Sequence, residues 1–195
     1  MPPRRPAMLH PQPPNPSPPP APNPSPPPPT PTFHPSIVIG TQNVGGMRGE
    51  FQLKRGPKIS MIRRLVTPYT DFLVLTEIRA DQRAIMNTKI KYGIHPSHFS
   101  ASQHPRGGVL ICANQKHKKM AGSERQSTTP GHIAAAVYEV KKSRIVVLGI
   151  YGISENNDRL SASTIREVST ILTELKLLYN TQHAIVAGDF NAVLK

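Results

Sequence analysis

Two acids stand at the ends of apolar runs. Glu77 closes Asp71-Phe72-Leu73-Val74-Leu75-Thr76-Glu77, and Asp189 closes His183-Ala184-Ile185-Val186-Ala187-Gly188-Asp189. Asn43 holds the same place in Ser36-Ile37-Val38-Ile39-Gly40-Thr41-Gln42-Asn43-Val44, and Asn191 follows two residues after Asp189. Only 11 of the 195 residues are Asp or Glu, so their placement carries information. Two carboxylates and two carboxamides at strand ends can face one crevice, where ligands of layered α/β proteins bind. A hard cation such as Mg²⁺ takes one or two carboxylates, waters and substrate phosphate as its oxygen ligands. A single strand-ending acid can equally cap the turn that follows it. Four polar groups placed alike make that reading weaker.

These residues need strands to carry them. The β-branched run Ser36–Val44 predicts a buried strand that Gly45-Gly46 breaks. Ile59, Ile62, Leu65 and Val66 recur at helical spacing between Lys58 and Thr67, with Lys58, Arg63 and Arg64 on the outer face and Pro68 as the stop. Asp71–Glu77 predicts a second strand, Asp81–Lys91 a helix and Tyr92–Ala101 an extended segment. Gly107-Gly108 opens a strand through Ala113, and Ile133–Val140 pairs with Arg144–Tyr151 as a hairpin. The Thr164–Tyr179 stretch predicts the main helix. Thr164 and Glu167 have capping-box spacing, and Ile165, Val168, Ile171, Leu172, Leu175 and Leu178 form its apolar face. His183–Asp189 is the last buried strand. No internal repeat is visible in the sequence. The order predicts an α/β (α+β) protein of layered sheets flanked by helices, not a bundle or a pure β-sandwich.

Composition bounds the rest. Residues 1–35 contain 18 of the 23 prolines and few large apolar side chains, so they are expected to form a disordered or polyproline II tail. The globular part is then 36–195. Several P-x-x-P spacings in the tail fit a Pro-motif-binding domain, although a run this repetitive meets that spacing by chance. The formal net charge of +13 favours a polyanionic partner, nucleic acid foremost. No 18-residue apolar span or basic amphipathic helix points to a membrane. The single cysteine, Cys112, lies in an apolar run and reads as a buried structural thiol. The amino terminus has no apolar h-region, so an intracellular protein, not a secreted one, is expected. Lys116–Lys119 could touch a nucleic-acid backbone or signal nuclear import, but reads first as a solvated loop. The histidines outside that cluster show no ligand spacing and are expected at the surface or in loops.

Five motifs occur in order: Gln42-Asn43-Val44, Leu75-Thr76-Glu77, Arg106-Gly107-Gly108-Val109, Tyr151-Gly152 and Gly188-Asp189-Phe190-Asn191. Each is weak alone. Together, in strand-end contexts, they resemble the endonuclease/exonuclease/phosphatase superfamily, and most of all the apurinic-like endonuclease domains of non-LTR retrotransposons. The resemblance covers Ile37 to Asn191. It implies a DNase I-like two-layer β-sandwich flanked by helices and a metal-dependent phosphodiesterase, most simply one that nicks DNA. It also implies roles. Glu77 would be the principal Mg²⁺ or Mn²⁺ ligand, and Asn43 would help hold the metal-bound phosphate side. Tyr151 would lie beside the scissile phosphate. Asp189 would orient or deprotonate the attacking water, and Asn191 would steady the phosphoryl oxygens. Gly107-Gly108 is expected to give a close backbone approach within a strand, not to contact substrate.

The pattern departs from the family after Asn191. Members continue through further strands to a terminal Ser-Asp-His signature, which is not found here, so the domain is expected to be incomplete at its C-terminus. An active endonuclease, a non-catalytic remnant that at most binds nucleic acid, and a phosphatase for another phosphoester all share these early motifs.

Overall fold

The chain is described from a computed structural model over residues 36–46, 57–79, 85, 92–102, 107–152, 154–155 and 159–191. The proline-rich segment, Arg106 and all of the expected Asp81–Lys91 helix except Ile85 lie outside those residues.

The apolar runs form two sheets. The first contains β1 (Ile39–Asn43), β2 (Phe72–Thr76), β3 (Ile94–Ser100) and β4 (Val109–Asn114), in the order β1-β2-β4-β3. The second contains β5 (Lys118–Lys119), β6 (Arg125–Gln126), β7 (Ile133–Val140), β8 (Ser143–Tyr151) and β11 (His183–Asp189). Its order is β11-β8-β7-β5, with β6 also paired to β7. A two-residue pairing of β9 (Ser154–Glu155) with β10 (Arg159–Leu160) stands apart. The helices are α1 (Pro57–Leu65) and α2 (Ala162–Leu178).

Two pairs of strands are parallel: β1 with β2, and β8 with β11. Parallel neighbours need a crossover. α1 supplies one and α2 the other, so the chain builds the same β-α-β unit twice, once in each sheet. The repeat is architectural and leaves no trace in the sequence.

The sheets pack face to face. Phe72, Val74, Val109 and Ile111 of the first meet Ala134, Ala136, Tyr138 and Val147 of the second. Leu73, Leu75, Leu110 and Cys112, on the first sheet's other face, pack against Ile62 and Val66 at α1. Val146, Leu148 and Ile150 turn the other way, onto Ile171 and Leu175 of α2. Strands β2 and β4 are therefore buried on both faces, which is why they read as unbroken apolar runs without alternation. Each large aliphatic side chain placed this way contributes about 1.5–3 kcal/mol of transfer free energy.

A row of small residues sets the spacing between the sheets. Ala134, Gly149 and Ala187 stand side by side on β7, β8 and β11. A Cβ on Gly149 would lie 2.6 Å from Val109 Cγ1 and 2.9 Å from Val74 Cγ1. The sheets approach here as closely as backbone and valine allow. Pro96 sits in β3, an edge strand with a register shift between Pro96 and His98; a residue without an N–H is tolerated there.

Several expectations are corrected. α2 begins one turn earlier than expected. Ser161 is its N-cap, and Ser161 Oγ accepts from the Thr164 amide at 3.2 Å. Glu167 instead accepts from the Thr128 amide at 2.5 Å, tying the helix to the loop before β7. The helix buries Thr164, Ile171 and Leu175, while Ile165 and Leu178 face solvent. The Lys116–Lys119 cluster is a structural junction, not a solvated loop. Lys116 Nζ and His117 Nε2 each lie 2.7 Å from Asp71 Oδ1, and the buried His117 ring stacks on Phe72. Lys119 donates to the Ser97 carbonyl at 2.6 Å and pairs with Glu124 at 2.8 Å. Desolvation would raise the Asp71 carboxyl, but Lys116, the Val38 amide and His117 outweigh it and hold it below its ordinary value. His98 is buried within β3 rather than at the surface or in a loop, while His132 lies, buried, in the bend before β7; burial of the His98 ring, partly offset by its contact with the Arg125 carbonyl, pushes its pKa down. Cys112 is fully buried as expected, and burial pushes its thiol up.

Candidate active site

The two β-α-β units deliver their strand ends to one place. In the first sheet Asn43 is level with Thr76, the residue before Glu77. In the second Asp189 is level with Tyr151. Carboxyl ends of parallel strands are where an open α/β sheet has room for a ligand, and here two such ends meet across the sandwich.

Hydrogen bonds between the sheets join them. The Tyr151 hydroxyl donates to Glu77 Oε1 at 2.9 Å. Asn43 Nδ2 donates to Asp189 Oδ2 at 2.7 Å, between residues 146 positions apart, and lies 3.4 Å from Glu77 Oε1. Asn43 Oδ1 accepts from the Gly45 amide at 2.9 Å, which fixes which end of the carboxamide faces the acids. Asp189 Oδ1 accepts from the Asn191 amide at 3.0 Å. Asn191 Nδ2 donates to the Gly152 carbonyl at 2.7 Å, and the Gly152 amide donates to the Asp189 carbonyl at 2.7 Å. The five residues expected from the sequence thus stand together, with Asn191 bracing the ends of β8 and β11.

The backbone bends to make this arrangement. Glu77 and Asn191 adopt φ of 55° and 45°, a left-handed conformation that costs non-glycine residues about 1–3 kcal/mol each and collects at functional sites. Gly188 has φ 140°, and a Cβ there would stand 2.1 Å from the Ile150 carbonyl oxygen. Only glycine lets β11 close on β8 just before Asp189. That is a physical reason for the glycine of Gly188-Asp189-Phe190-Asn191. Gly108 also follows expectation: its amide donates to the Gly131 carbonyl and its carbonyl accepts from Ile78, behind the Glu77 turn.

Sequence reasoning missed two contributors. Arg79, also at a positive φ of 49°, turns its guanidinium back to form an ion pair with Glu77 Oε2. A charge two residues beyond the candidate ligand was the available signal. Lys58 was expected on the solvent face of α1. Instead its Nζ grips the Gly45 carbonyl at 3.1 Å and that of Gly46, pinning the turn after Asn43.

Electrostatics follow from these contacts. Burial alone would raise the Glu77 carboxyl, but the Tyr151 hydroxyl, the Asn43 carboxamide and the Arg79 charge together hold it below its ordinary value. Burial pushes the Tyr151 phenol up, and the neighbouring Glu77 and Asp189 charges add to that. Tyr151 is thus kept as a neutral donor.

The donor set suits a hard cation. Glu77 and Asp189 offer carboxylate oxygens, and Asn43 offers a carboxamide. No group of three or more His, Cys, Asp or Glu side chains able to hold a metal occurs among the described residues. Mg²⁺ needs only one or two carboxylates, with water and phosphate completing the shell. Thr76 Oγ1 and Arg79 Nε, which bracket Glu77 in sequence, are buried polar atoms without a hydrogen-bond partner among the described residues. The surroundings of Glu77 therefore have bonding capacity that the chain does not itself use.

None of the curated proteins matches the chain in sequence. Solved structures match its fold. TDP2 of Caenorhabditis elegans superposes with TM-score 0.55 at 14% identity, over 80% of this chain and 48% of that one. The endonuclease domain of TRAS1, a telomere-specific non-LTR retrotransposon, gives 0.53 at 11% identity, over 82% and 62%. The human Nocturnin catalytic domain gives 0.50 at 18% identity, over 80% and 64%. The chain therefore spans between about half and two thirds of the length of these structures, and shares with them the DNase I-like two-sheet fold. Among the described residues no helix is long and apolar enough to cross a membrane. The sequence model of the Endonuclease/Exonuclease/phosphatase family matches residues 40–194, from β1 through every strand and helix that carries the site, and the chain belongs to that family.

Proposed function

We propose that the protein hydrolyses phosphodiester bonds with a divalent cation, Mg²⁺ or Mn²⁺, and that its substrate is DNA, which it nicks as an endonuclease. The observation that carries this reading is the meeting of Glu77, Asp189, Asn43 and Tyr151 through hydrogen bonds that cross between the sheets. Two carboxylates in one small site, held by neutral donors and an arginine, suit a reaction in which phosphate charge must be neutralised and a water oriented.

Glu77 is the residue proposed to hold the cation, with Asn43 beside it. A cation bound there supplies charge neutralisation for the phosphoryl oxygens. Asp189 is proposed to take the proton of the attacking water; its two oxygens are already aimed by Asn43 and by the Asn191 amide. Tyr151, neutral and fixed on Glu77, sets the position of that carboxylate and faces the scissile phosphate with its hydroxyl. Asn191 acts first by bracing Gly152, and reaches a phosphoryl oxygen only with its carboxamide released from that carbonyl. The net charge of +13 supports a polyanionic substrate. The endonuclease domain of a retrotransposon among the structural matches agrees with DNA as that substrate.

Supercoiled-plasmid nicking in Mg²⁺ tests the reading. Wild type should nick, and Glu77→Ala and Asp189→Ala should each lower the rate by about 100-fold or more, in line with loss of a group that acts in concert with others. Nicking that survives both substitutions would refute the site. A folded wild type that binds DNA with a steep salt dependence but never nicks would reduce the function to binding.

The remaining expectations stand beside this reading as proposals. Residues 1–35 form a separate tail and 36–195 the domain, and the protein acts inside the cell, where DNA is available to it.

A further inference from the structure

Arg79 is built into the site with more care than a surface arginine needs. Its own backbone is in the left-handed region at φ 49°, as is that of Glu77 at 55°. Two such residues within three positions reverse the chain, so that a side chain that would have left the sheet returns to it. The stem passes over Gly46, where φ is 90° and a Cβ would stand 3.2 Å from Arg79 Cδ. The Gly46 amide donates to the Glu77 carbonyl at 2.6 Å, so the glycine, the acid and the arginine form one folded unit. The guanidinium pairs with Glu77 Oε2 while Tyr151 and Asn43 address Oε1. Arg79 is one-third exposed at its side chain and Glu77 about one-seventh, and Nε of Arg79 is buried with no partner among the described residues.

We infer that Arg79 is an internal counter-cation that competes with the divalent metal for Glu77 and so sets how tightly the site is loaded. The inference rests on the metal-dependent reading given above. A guanidinium cannot lose its charge in a protein, so the competition is present at every pH at which Glu77 is ionised. The metal must displace Arg79 from Oε2 or share the carboxylate with it. Either course weakens its binding, because one oxygen is engaged and a positive charge stands close by. In return the protein keeps Glu77 ordered and charge-compensated when no metal is bound. Arg79 is a positioning residue in this scheme, not a catalytic one.

The experiment is Mn²⁺ binding by calorimetry, with bound Mn²⁺ counted independently by electron paramagnetic resonance, and no substrate present. Wild type, Arg79→Met, Arg79→Lys and Glu77→Gln are compared, each checked for folding by thermal melting. Arg79→Met should bind Mn²⁺ roughly two- to fivefold more tightly, the size expected for release of one partly exposed charged pair. Arg79→Lys keeps the charge but not the fork and should fall between it and wild type. Arg79→Lys also serves as the deciding variant if Arg79→Met does not fold. Unchanged or weaker binding in the Arg79 variants, with Glu77→Gln abolishing it, would overturn this inference alone. Binding that Glu77→Gln leaves intact, or no binding by wild type, would overturn the metal reading and the inference with it.

Discussion

Asn43 separates two carboxylates, and replacing it with a third is the sharpest probe of the site. In Asn43→Asp a donor that bonds Asp189 Oδ2 at 2.7 Å and lies 3.4 Å from Glu77 Oε1 becomes an acceptor. A hydrogen bond to a charged group is worth about 1.5–3 kcal/mol where it is well buried. Asn43 is exposed, so about 1 kcal/mol is the fair figure here. The new carboxylate would face two others at roughly 3 Å, where Coulomb repulsion is about 1.4 kcal/mol per pair even in bulk water and less in salt. The total is about 2–3 kcal/mol, or a fall in Tm of about 5–10 °C for a domain of this size. Asn43→Ala loses the bond without the repulsion and should fall by about half as much. The introduced carboxyl has its folded pKa raised by its neighbours, so its penalty is fully present well above that value and fades as pH drops through it. A divalent cation bound among the three acids would offset the repulsion by mass action. Melting curves in EDTA and in millimolar Mg²⁺ are the assay. Mg²⁺ should raise the Tm of Asn43→Asp more than that of wild type or Asn43→Ala. If Asn43→Asp melts with Asn43→Ala in EDTA, or Mg²⁺ moves all three equally, the electrostatic account of the site is refuted.

Three further predictions use other features. Gly188→Ala must place a Cβ 2.1 Å from the Ile150 carbonyl oxygen, so the end of β11 has to shift; a loss of about 2–3 kcal/mol is expected in urea unfolding, and a midpoint equal to wild type would show that the strand end adjusts freely. Tyr151→Phe removes the hydroxyl from Glu77 Oε1 and should lower nicking by about tenfold while leaving the unfolding free energy within about 1 kcal/mol of wild type; an unchanged rate would remove Tyr151 from the mechanism. Asp71 has its folded pKa depressed, so its contribution to stability is complete above the unfolded carboxylate value and is lost as pH falls through the folded one. Wild type should therefore lose its stability advantage over Asp71→Asn on acidification from about pH 5 toward about pH 2, and a pH-independent gap between the two urea midpoints would contradict that linkage.

Much of the fold was legible because burial on two faces leaves its mark on a sequence. β2 and β4 are apolar at every position from Phe72 to Leu75 and from Val109 to Ala113, and their ends could be placed within a residue or two. The hairpin of β7 and β8 and the bounds of β11 were equally plain, but β1 and β11, both expected as buried strands, stand at the ends of their sheets with no fully buried position in Ile39–Asn43 or His183–Asp189. The start of α2 was not. Thr164 with Glu167 imitates a capping box, and only tertiary contacts show that Ser161 caps the helix and Glu167 reaches Thr128. Short strands β5 and β6 carry lysine, arginine and glutamine, and owe their pairing to β7 rather than to any preference of their own. At the site, the acids were visible as charges that end apolar runs. The Asn43–Asp189 bond was not, because it depends on how two sheets are stacked. Arg79 was missed because its return to Glu77 requires two left-handed residues, which a pattern of residue types does not reveal.

The doubling of the β-α-β unit explains why so few residues suffice to make the site. Each unit brings a parallel strand pair to a carboxyl end, and each end offers one acid and one neutral hydrogen-bonding partner: Glu77 with Asn43, Asp189 with Tyr151. Among neutral partners, each acid takes its closest bond from the opposite sheet. Glu77 takes its 2.9 Å bond from Tyr151 of the second sheet, and Asp189 its 2.7 Å bond from Asn43 of the first. The partners are exchanged across the sandwich, so the site exists only when both sheets are packed at the separation that Gly149 and its alanine neighbours permit. A change in that spacing would pull the donors from the acids without touching any residue of the site. The small residues in the core are thus as much a part of the site's geometry as the acids they align.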